Sequence, residues 1–599
     1  MTVLDFILND IKRTKVETYS FLIGLSIPLT FIFTITLFIN KLNEIIFNAM
    51  YAKMPLGLSF MNQIFHMVIW TLSILLVVLV SITLTITNTV IRQKDIAVMK
   101  GIGMSADLIY SFFVYRYLIL LLASTLISVL SSFSIYLLVE KVYPPFDNVL
   151  WLGVTVTGIF LLSYFLAYEK IIDFVNKYTT IEGKTIMKPP SKYRKIIRRH
   201  FNWVRTFSIR SVLQLKEPSK MVIISLFIIY LMISFSTFSS AIVLDTSKNF
   251  IHRAYNDDVV VIGYSNVLTT YSKLILSENV TESETKEILN MSIPNETYTI
   301  LANLSFVDTI ERRLLSYTQV TELPAVVYDP VEGYKLVGAR KSTYTYVIGY
   351  EPDKCVSNWY FIGDITNSTD EVIVGDGLDE ILFEDPLLEK IMINRTQVFR
   401  ISAIVFDTLN KGQVVYVPLK TLQKIYNISS YNLLLLKIKE INDSVLEELN
   451  KLLSPLGLSY ILFKDITVEL FDFLDTTWLL NDIEVDIILI SGVASVVSFV
   501  LMILSVFYKD LEIMEKIGGR KNKIKRITLN IGILITMISS APAIFVGFFF
   551  ALNFMIPDPI ITLRSLIIVL LKISAICIIT IISFVFGHAL FSKYYRYKM

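Results

Sequence analysis

The chain offers few residues of the kinds that carry out catalysis or bind metals. Its histidines and cysteines are scattered, and they are His66, His200, His252, His588, Cys355 and Cys577. Zinc sites need several such ligands at short spacings, and this spacing is absent from the sequence. No Gly-x-x-x-x-Gly-Lys-Ser/Thr loop is present to cradle a nucleotide phosphate. The sequence therefore predicts no catalytic, cofactor-binding or metal-binding residue, and no enzyme activity in this chain.

Two other groups of charged residues have a functional and a structural interpretation. Asp376, Asp379, Glu380, Glu384 and Asp385 form an acidic cluster, which is more typical of a solvated face than of a calcium site. Two charges interrupt long apolar runs, and these are Arg116 and Lys572. Charges within a membrane span are often functional, but snorkelling to the surface or pairing between helices explains them equally well.

The strongest pattern is a ten-residue segment that occurs twice, at 94–103 and at 509–518. Each copy lies between two apolar runs, so it should be exposed at a membrane surface where a soluble partner can touch it. Ile91, Asp95, Val98, Met99 and Ile102 would share one stripe of a helix that Gly103 ends. The candidate site residues are Lys94, Asp95, Val98, Met99, Ile102 and Gly103 in the first copy, and Lys509, Asp510, Ile513, Met514, Ile517 and Gly518 in the second.

The repeated segment resembles the cytoplasmic coupling segment of MacB/FtsX-type ABC transporter permeases. In that family the segment links the second and third spans of a four-span unit and docks on a separate ATPase subunit. The resemblance implies that ABC-type ATPase subunits bind both copies, as two identical or two different chains, and that ATP and Mg belong to those partners. The alternative from the residues alone is an amphipathic helix that rests on lipid headgroups.

The composition predicts a multi-pass membrane protein. Of the 599 residues, 54% are hydrophobic, and the mean hydropathy is +0.60. A span needs about 20 apolar residues, and eight runs qualify. We place them near 21–40, 65–90, 112–139, 149–168, 221–243, 487–508, 527–555 and 561–591.

Charge and glycosylation sequons predict the orientation. With both termini inside, the cytoplasmic segments hold 29 Lys or Arg and the short outer loops three, as the positive-inside rule requires. This rule and attraction to anionic lipid explain the basic connector 169–220 without nucleic-acid binding. The acidic segment 244–486 is then extracellular, and heavy sequon use there indicates a glycoprotein of a host that glycosylates its surface proteins, an archaeon or a eukaryote. The permease resemblance favours the archaeon. It holds every Asn-x-Ser/Thr sequon, at Asn279, Asn290, Asn295, Asn303, Asn367, Asn394, Asn427 and Asn442.

The segment 244–486 should fold as a mixed α/β domain. Alternating apolar residues predict strands near 258–262, 343–348, 371–374, 397–406 and 413–417. The run Val414 to Gln423 resembles the end of a MacB-type extracytoplasmic domain, which a strand and a helix follow, here Leu433 to Ile438 and Asp443 to Leu453. Ser239 to Tyr255 and Glu469 to Glu484 could extend two spans as a helical stalk, the alternative being a disordered hinge.

Together these features predict a polytopic α-helical membrane protein of eight transmembrane helices in two four-helix units. The regions are 1–168, with coupling segment 91–106; connector and elbow helix 169–220; span five at 221–243; outer domain 244–486; and spans six to eight at 487–599, with coupling segment 509–526. The resemblance implies a permease subunit in the plasma membrane that works by mechanotransmission or exports a peptide, lipid or lipoprotein. A non-transporting surface receptor or assembly platform is the alternative. An ion-coupled transporter would need intramembrane acids, which the predicted spans lack.

Overall fold

A computed structural model describes residues 3–43, 56–180, 208, 217–281, 284–285, 288–330, 333–554 and 556–596. Within them, eight helices are long and apolar enough to cross a membrane, which confirms the predicted number of spans. Most of the connector 169–220, including nearly all of its elbow helix, lies outside the described residues. The chain divides into two compact units, which we call the membrane unit (Met1–Leu42, Phe65–Val243 and Asn481–Met599) and the α/β unit (Asn43–Ile64 and Leu244–Leu480).

Long helices supply nearly all of the membrane unit. A short amphipathic helix precedes the first span and is separated from it by Thr14, which fits the elbow expected over 1–20. The helices are α1 Val3–Arg13, α2 Lys15–Asn43, α3 Leu56–Ile91, α4 Gln93–Gly101, α5 Ala106–Glu140, α6 Phe146–Thr180, α7 Glu217–Tyr255, α13 Phe463–Lys516, α14 Lys521–Phe554 and α15 Leu563–Arg596.

Small residues allow these helices to pack closely, as is common where lipid offers no hydrophobic drive for association. A Cβ added at Gly24 of α2 would lie 2.5 Å from the Ser498 side chain of α13. A Cβ added at Gly547 of α14 would lie 2.7 Å from the hydroxyl of Ser234 in α7. Helices from the two ends of the chain therefore touch each other within one bundle.

Both segments expected to form a stalk are helical. Ser239 to Tyr255 completes α7, and Glu469 to Glu484 lies inside α13. The sequence Asp475-Thr476-Thr477 does not break the helix, because each threonine hydroxyl donates to the carbonyl four residues earlier, over 2.7 Å for Thr476 and 2.6 Å for Thr477. The helical interpretation of these segments is confirmed, while their role as a stalk stays a prediction.

The α/β unit is built on a ten-stranded mixed sheet. Its order is β12-β1-β11-β2-β5-β10-β7-β9-β6, and β8 pairs with β2 and β9, while β3 and β4 form a separate two-stranded sheet. The strands are β1 Val259–Gly263, β2 Val307–Leu323, β3 Ala325–Asp329, β4 Gly333–Val337, β5 Ser342–Tyr350, β6 Phe361–Gly363, β7 Glu371–Gly375, β8 Lys390–Ile393, β9 Gln397–Val405, β10 Val414–Pro418, β11 Leu433–Ile438 and β12 Ser459–Leu462.

Helices accompany the sheet, and apolar clusters join several of them to it. The helices are α8 Ser265–Ile275, α9 Asn295–Ala302, α10 Asp376–Leu382, α11 Leu419–Tyr426 and α12 Asp443–Leu453. One cluster joins α10 and α11 to β5, β7, β9 and β10, and another joins α9 and α12 to β1 and β11. The α/β class is confirmed, and β11 and α12 have the bounds expected from the resemblance.

Candidate coupling segments and the polar contacts around them

The first repeated segment forms α4 and ends in a defined backbone motif. Gly103 has a φ of +87°, a left-handed conformation that glycine adopts without strain. The Gly103 amide donates to the carbonyl of Lys100 over 3.0 Å, and the Met104 amide donates to the carbonyl of Met99 over 3.1 Å. These two bonds define a Schellman motif, which satisfies carbonyls at the end of a helix. Gly103 therefore ends the helix as the sequence predicts.

The second segment repeats this termination 415 positions later in the chain. Gly518 has a φ of +99°. Its amide donates to the carbonyl of Glu515 over 3.0 Å, and the amide of Gly519 donates to the carbonyl of Met514 over 2.9 Å. The next helix begins at Lys521, the residue that corresponds to the first residue of α5, Ala106. The repeat is therefore one of backbone geometry as well as of sequence.

The two copies match in burial at three pairs of positions. Ile96 and its counterpart Leu511 are buried, at 0% and 2% exposure. Val98 and Ile102 are 63% and 74% exposed, and their counterparts are 55% and 80% exposed. Residues four apart share one face of a helix, so each copy presents an exposed apolar pair. We call these pairs the first pair, Val98 and Ile102, and the second pair, Ile513 and Ile517.

The predicted stripe needs one correction, at Met99. This side chain is only 9% exposed and lies with Ile96 on the inward side of α4, whereas Asp95 is exposed. Met514 is half-buried. The helical period of 3.6 residues placed Met99 and Val98 on the same stripe, but it does not show which edge of that stripe packs against the other helices. The side chains of Lys94, Lys509, Asp510 and Ile91 lie outside the described residues.

Buried ion pairs hold the start of the first segment. Arg92 lies at the break between α3 and α4, and its side chain is 3% exposed. Its Nη1 donates to Oδ2 of Asp10 over 2.6 Å, and its Nε donates to Oε2 of Glu17 over 3.2 Å. Arg116 of α5 reaches the same carboxylates, with its Nε 3.4 Å from Asp10 Oδ2. We call Asp10, Glu17, Arg92 and Arg116 the arginine cluster.

Arg116 therefore pairs with other residues instead of snorkelling. It is also 2% exposed, and Nη1 donates to Oδ1 of Asn88 over 3.2 Å while Nη2 donates to Oγ1 of Thr14 over 3.1 Å. The repeat does not extend to this cluster, because Phe507 and Ile531 occupy the positions that correspond to Arg92 and Arg116. The second segment instead continues from the preceding span without interruption inside α13.

Lys572 also has a partner. Its Nζ donates to Oδ1 of Asp486 in α13 over 2.7 Å. Four residues earlier in α13, Asp482 accepts a hydrogen bond of 2.7 Å from the hydroxyl of Ser240 in α7. The two acids are on the same side of α13, since they are four residues apart. They tie this helix to α15 and α7.

A third acid of α13 faces the opposite side and is buried. Glu484 is 4% exposed in its side chain, and its Oε2 lies 2.8 Å from Nδ1 of His66 in α3. The predicted span began at 487, so this acid was counted as outside the membrane. That helix, α13, is continuous from Phe463 to Lys516, so Glu484 precedes the predicted span within the same helix, and the expectation that no acid lies within a span stays a prediction.

The α/β unit contains a buried polar network that joins the last residue of α7 to the sheet. The Tyr255 hydroxyl donates to Oδ1 of Asp407 over 2.8 Å, and the Tyr416 hydroxyl of β10 donates to Oδ2 of the same residue. Asp407 is 3% exposed. The Thr408 hydroxyl donates to the Tyr255 oxygen over 2.5 Å. These contacts fix the end of α7 relative to β10, and the sequence pattern did not indicate them.

The acidic cluster is spread over the surface of α10 and the loop after it. Glu380 and Glu384 are exposed, and Asp376 is buried beneath them. Burial, together with the charges of Glu380 and Asp385, raises the pKa of Asp379 to about 6. Among the described residues, no group of three or more His, Cys, Asp or Glu side chains is arranged to hold a metal ion.

Two buried carboxylates near this cluster face each other. Glu322 and Glu389 are fully buried, and a Cβ added at Gly338 would lie 2.6 Å from the Glu322 carboxylate and 3.0 Å from that of Glu389. The amide of Asp385 donates to Oε1 of Glu389 over 2.8 Å. Burial and the neighbouring Glu322 raise the pKa of Glu389 to about 7.

The sequons lie on the surface of the α/β unit. Seven of the eight asparagines are exposed and Asn394 is half-buried, so oligosaccharide could be attached without unfolding. Asn442 also caps α12, because its Oδ1 accepts from the amide of Val445 over 3.0 Å. The exposed asparagines are Asn279, Asn290, Asn295, Asn303, Asn367, Asn427 and Asn442.

The fold and these contacts define the chain as a multi-pass membrane protein with a large α/β domain. The chain is similar to the periplasmic region of MacB from Actinobacillus actinomycetemcomitans, with 17% identity, 37% of this chain and 95% of that chain covered, and a TM-score of 0.26. It is also similar to the extracellular domain of the ABC-type transporter YknZ from Gram-positive bacteria, with 13% identity, 34% and 98% covered, and a TM-score of 0.22. No family model and no curated protein matches it.

Proposed function

We propose that this chain is the membrane subunit of an ABC-type complex. A separate ATPase would hydrolyse ATP with Mg, and the coupling segments would pass the resulting movement to the membrane helices and the α/β unit. In this proposal the α/β unit is extracellular, both termini are cytoplasmic, and the eight helices are two fused four-helix units. The work done is mechanotransmission to a surface protein or extrusion of a peptide, lipid or lipoprotein.

The observation that carries the proposal is the pair of matching segments. Each one places two apolar side chains in an exposed position immediately before a Schellman motif. Exposing a pair of aliphatic side chains to water is unfavourable. Contact of single residues with lipid would not explain why the same exposed pair precedes the same helix-end motif in both segments. A soluble partner with two equivalent grooves, such as an ATPase dimer, would bury both pairs in the same way.

The test is co-purification of the ATPase with variants of the exposed pairs. Ile102→Asp and Ile517→Asp should each weaken ATPase binding and the stimulation of its hydrolysis, and the double variant should abolish both. A carboxylate at the centre of a buried contact costs several kcal/mol, of the order of 2–4 kcal/mol for a typical hot spot. Each substitution should therefore weaken binding by roughly 30-fold or more.

A matched control places the same charge on an exposed apolar residue outside the segments. Val142 follows α5 and is 67% exposed, so Val142→Asp should leave binding unchanged. All variants should elute as a single species of unchanged size from gel filtration. Full binding and full stimulation with the double variant would rule out docking at these segments.

A further inference from the structure

A cavity of about 580 Å³ lies between the first turns of α14 and the last turns of α15. Its volume is in the range of small-molecule sites, roughly 300–1,000 Å³. It adjoins the second coupling segment, because Glu515 of that segment is part of its wall. It lies at the ends of two helices that are long and apolar enough to cross a membrane, and in the orientation proposed above these ends would lie at the cytoplasmic headgroups.

The cavity has an apolar floor and a basic rim. Leu529 of α14 and Ile582 and Phe586 of α15 are among its apolar residues, and Ile582 and Phe586 are 58% and 62% exposed. Lys521 and Lys525 lie on the rim and share one face of α14, since they are four residues apart. A ligand that matches both parts must be amphiphilic, with a negative headgroup and a hydrocarbon chain.

The charge balance favours an anion. Glu515 supplies one carboxylate, with its Oε1 3.7 Å from Nζ of Lys521, so the two lysines leave the rim with a net positive charge. Arg520, Lys523 and Arg526 are also exposed in the same stretch and add to the positive potential. Basic pockets at the ends of membrane helices attract anionic headgroups.

We infer that this cavity binds one anionic phospholipid, whose phosphate lies between Lys521 and Lys525 and whose acyl chain covers Ile582 and Phe586. The first half of the chain has no matching rim, because Ala106 and Tyr110 occupy the positions of the two lysines. The site thus belongs to the second coupling segment alone. It would make the position of that segment depend on lipid composition, in addition to the ATPase docking proposed above.

The test is lipid retention by the full-length protein without any ATPase. The protein is placed in nanodiscs of phosphatidylcholine with a minor fraction of phosphatidylglycerol, released into the gas phase, and the retained lipids are counted by native mass spectrometry. Lys521→Gln with Lys525→Gln should lower phosphatidylglycerol retention by roughly fivefold for each lysine, or about 25-fold together. Lys521→Arg keeps the charge and should keep the lipid.

The matched control is Lys523→Gln with Arg526→Gln, which removes two charges from the same turns of α14 but from residues that do not line the cavity. Because these two residues do not line the cavity, it should lower phosphatidylglycerol retention by much less than the Lys521 and Lys525 double variant. Equal losses in the two double variants would mean general attraction to a basic surface and would overturn the site. Bound inorganic phosphate without retained lipid would overturn it as well. Because no ATPase is present, these outcomes are independent of the docking experiment.

Discussion

Removing one carboxylate from the arginine cluster should lower the free energy of unfolding of the membrane unit far more than breaking a solvent-exposed salt bridge with a similar N–O distance. Asp10 accepts from Arg92 at 2.6 Å and lies 3.4 Å from Arg116, and both guanidinium groups are 3% exposed. Asp10→Asn would leave two buried cations with Glu17 as their shared carboxylate. Loss of one partner of a buried pair costs about 3–5 kcal/mol, and we expect about 3 kcal/mol because the Asp10 side chain is 19% exposed.

The control pair is Lys41 and Glu140, whose Nζ and Oε2 atoms approach to 2.7 Å but whose side chains are 51% and 23% exposed. Lys41→Gln should cost less than about 1 kcal/mol. The free energies of unfolding can be measured in mixed micelles by titration with dodecyl sulfate, followed by circular dichroism.

A double-mutant cycle makes the prediction refutable. Arg92→Gln should cost much less in the Asp10→Asn background than in the wild type, with a coupling energy of about 1–3 kcal/mol. If the free-energy costs of the two substitutions are additive, Asp10 and Arg92 do not stabilise each other despite their short distance, and the cluster does not anchor α4. The same variants should lower ATPase stimulation through the first segment, because α1 would no longer hold the break at Arg92.

Two further predictions concern the α/β unit. Since the pKa of Glu389 is raised from 4.5 to about 7 on folding, the folded state binds more protons between those values, so stability should fall as pH rises from 4.5 to 7. The melting temperature should drop by roughly 5 °C over this interval, and in Glu389→Gln it should depend less on pH. If the melting temperature of that variant depends on pH as in the wild type, Glu389 is not the group responsible. In a host that glycosylates asparagine, an enzyme that removes N-glycans should reduce the mass of 244–486, whereas a sequon engineered into 169–220 should stay unmodified; a glycan on that connector would reverse the proposed orientation.

The spacing of apolar residues predicted much of the fold, because the side that a helix or strand buries determines where its apolar residues occur. The eight candidate spans, β1, β5, β7, β9, β10 and α12 all follow such apolar patterns, whereas β11 was expected from the resemblance. The longest strand, β2, was missed since its sequence carries charges that normally indicate a surface. Glu311 and Arg313 of β2 are buried and satisfy each other, with Arg313 Nε donating to Glu311 Oε1 over 2.6 Å.

The contacts around the coupling segments were less accessible to sequence reasoning. Gly103 and Gly518 could be recognised as helix ends because glycine adopts a positive φ at little cost. The partners of Arg92 lie 75 and 82 residues away in the chain, and no local pattern specifies such a pairing. The inward direction of Met99 depends in the same way on which neighbouring helices cover that side.

The two segments differ in how each is connected to the preceding span. At Arg92 the backbone has φ −96° and ψ 21°, so the first segment is a separate helix that joins its span at a break held by the arginine cluster. The second has no such break, since α13 runs unbroken from Asn481 to Lys516, a rigid rod of about 54 Å at 1.5 Å per residue. A displacement of the second segment would therefore be transmitted along α13 into its span, whereas a displacement of the first would have to strain the ion pairs of the arginine cluster.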